Sequence, residues 1–195
     1  MRRTLPSDDL PATPLHEGVI VCHPAGTCTT TSEGGVAVED DLQGEVDVAV
    51  AAYRDEGGWQ LTRLPAGVTG DIEEVERALR PFPSECGVIG MVAVDEDFFV
   101  LVRVWGRSTL LLLSDITAVD EWPLASSVAD ELDLPDPEDD DEPQPAGDME
   151  ILADLGVSAI DLAVMLDDPD AYPDEVLGDI AERLGFGDAY QALAG

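Results

Sequence analysis

Hydrophobic and polar positions show no period over the first 44 residues and then fall into clear ones. Residues 1–44 mix Pro, Thr, Gly and acids without a repeat of 2 or 3.6, which predicts a disordered leader. An upstream start codon assigned in error would add a patternless stretch of this kind. From position 46 the run VDVAVAAY alternates as a half-buried strand does. RDEG reads as a turn, and GWQLTRLP sets Trp59, Leu61 and Arg63 against Gln60, Thr62 and Leu64, so the two runs predict a hairpin. Asp71 is placed to cap IEEVERALR, an amphipathic helix whose Ile72, Val75 and Leu79 share one face and whose glutamates lie in the first turn.

Beyond PFP, a second β block runs through GVIGMVAV, FFVLVRVW and STLLLLS, broken by the turn Asp95, Glu96, Asp97 and by Gly106 with Arg107. Three strands in such close succession favour antiparallel pairing, because parallel neighbours need long crossovers. Their near-continuous apolar character predicts a sheet covered on at least one face. The segment after Asp115 reads as helical, with Pro123 tolerable only near a helix start or a break. The expected fold of residues 45–131 is therefore α+β, an antiparallel sheet of about five strands in the order β-β-α-β-β-β-α.

Residues 132–147 include PDPEDDDEPQP, with six acids and four prolines in eleven positions. That composition predicts an extended acidic linker. In 148–195 short helices resume: Ile151, Leu152 and Leu155; then Ile160, Ala163, Val164 and Leu166; then a helix from Asp170 and Pro173 carrying Val176, Leu177, Ile180 and Leu184, with Gly185 as its stop. This helical region is too short for an independent core and is expected to dock on the sheet or on another protein.

Charge changes the picture more than size does. The 195 residues carry 43 Asp and Glu against 9 Arg and no Lys, and from Ser108 onward 24 acids face one base, Arg183. Nucleic-acid binding rests on cations that displace counterions, so direct binding of tRNA or DNA is not expected. A basic protein surface would be attracted and steered; a soluble acidic exterior that no partner reads is the plain alternative. Cys22, Cys28 and Cys86 form no paired framework, the N-terminus has no secretory pattern, and no apolar run approaches a membrane span. A cytoplasmic protein is expected.

Candidate chemistry is sparse. Both histidines, His16 and His23, precede Val46, which leaves the expected body without an imidazole for base or ligand work. Cys22, His23 and Cys28 in CHPAGTC offer three zinc-type ligands, too few to close a tetrahedral structural site, and they do not match the H-x-E and P-C-x-x-C pattern of nucleobase deaminases. Asp167, Asp168, Asp170, Asp174 and Glu175 lack the alternation and turn glycine of an EF-hand and read as a solvated acidic helix start. Asp95, Glu96 and Asp97 read as a charged hairpin tip rather than an acid–base pair. Gly185 to Gly187 is a bare GxG with no strand before it, and Cys86 follows a carboxylate that would disfavour its thiolate. Trp59, Trp105 and Trp122 read as core or edge packing, with an interface anchor as the minority alternative. No catalytic, cofactor-binding or metal residue is assigned.

Taken together, VAVAAYRDEGGWQLTRLP, FFVLVRVW leading into LLLLSD, the acidic spacer, AGDMEILADLGV and IAERLGFGDAY resemble the actinobacterial family of tRNA adenosine deaminase-associated proteins, over roughly residues 46–193. The resemblance implies association, since the family is named for a gene beside that of the deaminase, and it supplies no catalytic residue. The expectation is a non-catalytic accessory protein in tRNA wobble A-to-I modification that binds a basic surface of the deaminase through linker and helical tail. Two other readings stay open: an acidic mimic of nucleic acid, and an unrecognised carboxylate- or metal-dependent enzyme.

Overall fold

A computed structural model describes residues 19–22, 28–30, 46–56, 58–65, 67–83, 85–135, 137, 142–168 and 171–194. Two short strands, β1 (Val19–Cys22) and β2 (Cys28–Thr30), lie in the stretch expected to be a disordered leader. They pair with each other, and β1 pairs with the sheet edge; the rest of the leader falls outside the described residues. The alternating runs then form β3 (Val46–Asp55) and β4 (Gly58–Arg63), a hairpin with Ala52 opposite Leu61. Helix α1 (Ile72–Leu79) starts where Asp71 accepts a hydrogen bond from the Glu73 amide at 2.8 Å, satisfying one of the orphan donors of a helix N-terminus.

The second β block is a meander of β5 (Val88–Val94), β6 (Phe98–Trp105) and β7 (Ser108–Leu113). A 3₁₀ turn over Ile116–Asp120 leads into α2 (Pro123–Glu131), where Pro123 occupies the first turn, a position whose missing N–H costs nothing. The expected β-β-α-β-β-β-α order is thus present in β3 to α2. A two-residue strand, β8 (Ala146–Gly147), extends the far edge, giving the antiparallel order β2-β1-β4-β3-β5-β6-β7-β8. Helices α3 (Ala159–Leu166), α4 (Pro173–Leu184) and α5 (Gly187–Ala194) complete the chain.

Strand alternation divides the core into two. Tyr53, Val92, Phe98, Val100, Val102 and Leu113 point to the face covered by α1 and α2. Val50, Ile89, Met91, Phe99, Leu101 and Leu112 point to the other, covered by Ile151, Leu152, Val157, Leu162 and the apolar sides of α4 and α5. The sheet is therefore covered on both faces, which explains why β5 and, apart from Arg103, β6 are apolar throughout. Of the two options open for the C-terminal helices, the structure shows packing on the sheet. Residues 136 and 138–141 of the acidic run lie outside the described residues; on its near side Leu134 packs on the α1/α2 face, and beyond it the Gln144 carbonyl accepts from the Ile116 amide at 2.9 Å.

The return to the sheet turns on Gly147. Its φ of 111° is one that L side chains rarely adopt, and a Cβ there would collide with the Leu111 carbonyl oxygen on β7. Gly147→Ala is expected to lower unfolding stability by about 2 kcal/mol, combining backbone strain with a displaced edge strand. Urea denaturation checks this; an unchanged midpoint would mean that β8 does not hold the C-terminal layer in place.

Candidate protein-interaction surface

An arginine in the middle of an apolar strand needs partners for its charge, and Arg103 of β6 is 2% exposed on the face that the C-terminal layer covers. The segment after β8 supplies them. One terminal nitrogen donates to the Ile151 carbonyl at 2.8 Å, the other to the Cys86 carbonyl at 2.5 Å, and the two together grip the Asp154 carboxylate, with Nη2 to Oδ2 at 2.7 Å. Such a fork is the strong form of the carboxylate ion pair. Nε finds no partner among the described residues and faces Gly87, where a Cβ would press to 3.1 Å. Asp154 is 52% exposed, so the pair runs from the core to solvent. Its carboxyl is held below the usual range, chiefly by the hydrogen bond from Arg103.

Above this pair lies Trp105, with its ring centroid 5.6 Å from the guanidinium carbon and 56% of its surface exposed. The other two tryptophans are packed: Trp59 tilts against Phe186 at 4.8 Å, and Trp122 packs on Phe98 and donates from Nε1 to Asp97 at 2.9 Å.

Asp154 leads through Gly156 and Val157 to α3. Ser158 caps that helix: its hydroxyl accepts from the Asp161 amide at 3.2 Å, and the Asp161 carboxylate accepts from the Ser158 amide, a capping box. The same carboxylate takes a 2.8 Å bond from Arg183 of α4, which occupies the one base after Ser108. Seven of the eight α3 residues, AIDLAVML, are apolar, yet only Leu162 is buried. Ile160 is 78% exposed and Val164, one turn on, 67%; Tyr172 at the start of α4 is also exposed. By contrast α4 buries Val176, Leu177, Ile180 and Leu184 and turns its acids outward, and Gly185 at φ 90° ends it.

Between α4 and α5 runs a groove of about 530 Å³ walled by Asp174, Glu175, Asp179 and Glu182. At its base the Tyr190 hydroxyl donates to the Asp174 carbonyl at 3.2 Å, and burial, followed by the Asp174 charge, pushes its phenol well above the usual value. On β4, Arg63 donates to the Leu193 carbonyl, a cation at the C-terminal end of α5.

The residues weighed for chemistry are scattered. Cys22 and Cys28 are cross-strand partners in β1 and β2, while His16, His23 and Asp170 lie outside the described residues. The Cys86 thiol is partly exposed, and its backbone serves Arg103. Asp97 is engaged by Trp122, Asp167 follows the last turn of α3, and Asp174 and Glu175 sit in the first turn of α4, where carboxylates suit the helix dipole. Phe186, between its two glycines, is a core residue. Among the described residues no three His, Cys, Asp or Glu side chains gather to hold a metal ion, and no helix is long and apolar enough to cross a membrane. Periodicity did not single out Arg103, although one base inside FFVLVRVW is itself the signal of a buried ion pair.

The described residues thus form an α+β scaffold with many exposed acids and one exposed apolar helix face. Residues 47–187 match the family described as Rv3753c-like tRNA adenosine deaminase-associated protein, and the chain belongs to that family. It is 40% identical over 147 residues to Protein Rv3753c of Mycobacterium tuberculosis (strain ATCC 25618 / H37Rv), covering 74% of this chain and 85% of that one. No solved structure matches.

Asp154→Asn leaves the buried guanidinium with two carbonyls and no counter-charge. The expected cost is about 2 kcal/mol, below that of a fully buried broken pair because the carboxylate is half exposed. The carboxyl's folded-state value lies below its unfolded one, so this stabilisation is complete above the unfolded value and drains away as pH falls through the folded one. Denaturation midpoints measured from neutrality into the acid range should therefore converge for wild type and variant; parallel curves would contradict the assignment.

Proposed function

We propose that this protein is a non-catalytic accessory protein of tRNA adenosine deaminase, acting in the cytoplasm by binding a basic surface of that enzyme. The observation that carries the reading is the charge of the C-terminal half. After Ser108 one arginine accompanies 24 acids, and it is engaged by Asp161. An enzyme that works on tRNA needs cationic surface, and a field of carboxylates is complementary to it. The family description supplies the partner's identity. An accessory role also fits the scattered carboxylates, several of which serve caps, turns and the Trp122 contact.

Purified deaminase immobilised on a sensor should capture the full chain at low ionic strength. Affinity should weaken by roughly tenfold or more as salt rises from tens to several hundred millimolar, mostly through a slower on-rate. Absence of binding at low salt would remove the proposal, and salt-independent binding would remove its electrostatic basis.

A further inference from the structure

We infer that the outward face of α3, the Ile160/Val164 ridge with Ala163 beside it, is the docking surface for the deaminase, and that it receives an apolar stripe rimmed by Lys or Arg. The inference rests on the accessory reading and adds the contact itself.

Helix α3 is apolar on the side that meets water as well as on the side that meets the core. Ile160 and Val164 stand at i and i+4, so they form one ridge, and they are among the most exposed large apolar side chains described. Solubility gives no reason for such residues on a chain with abundant acids, whereas a partner does. The helix is also anchored to the fold by contacts of its own. Leu162 is buried beneath it, the Ser158/Asp161 box fixes its first turn, and Asp161 is tied to Arg183 on α4. A preformed ridge spares the ordering cost of docking.

Charge selects the occupant. The ridge is followed by exposed Asp167 and Asp168, and the base on the neighbouring helix, Arg183, is already paired with Asp161. A second copy of this chain would bring like charge against like, on a sequence with net charge −34. A basic-rimmed apolar stripe meets both parts of the surface: the centre excludes water and the rim steers.

The test compares wild type with Ile160→Gln/Val164→Gln in the full chain, binding to purified deaminase. Glutamine is a good helix former and adds no charge, so the thermal midpoint should stay within a few degrees. Affinity should fall at least about thirtyfold. Ile160→Ala alone, a gentler change, should give roughly a fivefold loss, and Asp167→Lys should weaken binding and flatten its salt dependence. In hydrogen exchange, residues 159–166 should gain protection on complex formation. Equal affinity of wild type and double variant would overturn the inference while leaving the accessory reading intact; no binding by wild type would overturn both. A wild-type dimer in light scattering that the double variant converts to monomer, or no added protection over 159–166 in the complex, would also overturn it, by assigning the ridge to a second copy or to another part of this chain.

Discussion

A guanidinium in the middle of an apolar sheet stays charged, and it is tolerated only where its donors meet acceptors. Arg103 therefore imposes a condition on the rest of the chain. Two of its acceptors, the Ile151 carbonyl and the Asp154 carboxylate, come from a segment some fifty positions later in sequence. The condition is met only when that segment returns to the sheet, which it does by adding β8 beside β7 and lowering Ile151 and Leu152 into the core. The ion pair adds register to the apolar contacts: burial favours any close packing of residues 148–194 on the sheet, whereas a two-pronged carboxylate contact admits one placement.

That placement arranges the exterior. With α4 and α5 turned so that their apolar sides meet β3, β4 and β5, their carboxylates form the outer wall of the molecule. Three arginines in or near this layer are paired within the chain: Arg63 at the end of α5, Arg103 at Asp154 and Arg183 at Asp161. The exposed side of α4 is rich in carboxylates, with α3 beside it as an apolar interruption. Trp105, stacked over Arg103, is a further exposed apolar side chain, with the guanidinium beneath its ring.

Local chemistry was legible wherever a residue acts on its own neighbours. Asp71 caps α1, Pro123 opens α2 and Gly185 ends α4, each read from backbone demands that extend only a few residues. The meander was legible for the same reason, since short turns leave antiparallel pairing as the ready option. The leader was not: β1 and β2 carry no strong period, and what makes them strands is an available edge on β4. The pattern that places Ile160 and Val164 on an apolar face carries no indication that the face is left uncovered.

The amino-acid order alone thus set the α+β class, the sequence of elements in residues 46–131, and a negative exterior, because periods, caps and net charge are properties of neighbouring residues or of the whole composition. Only the folded arrangement decided that both sheet faces are covered, that Arg103 is satisfied by Asp154, and that α3 presents a bare ridge. Those depend on which distant surfaces meet, and a strand or helix pattern records that a side will be buried without recording what buries it.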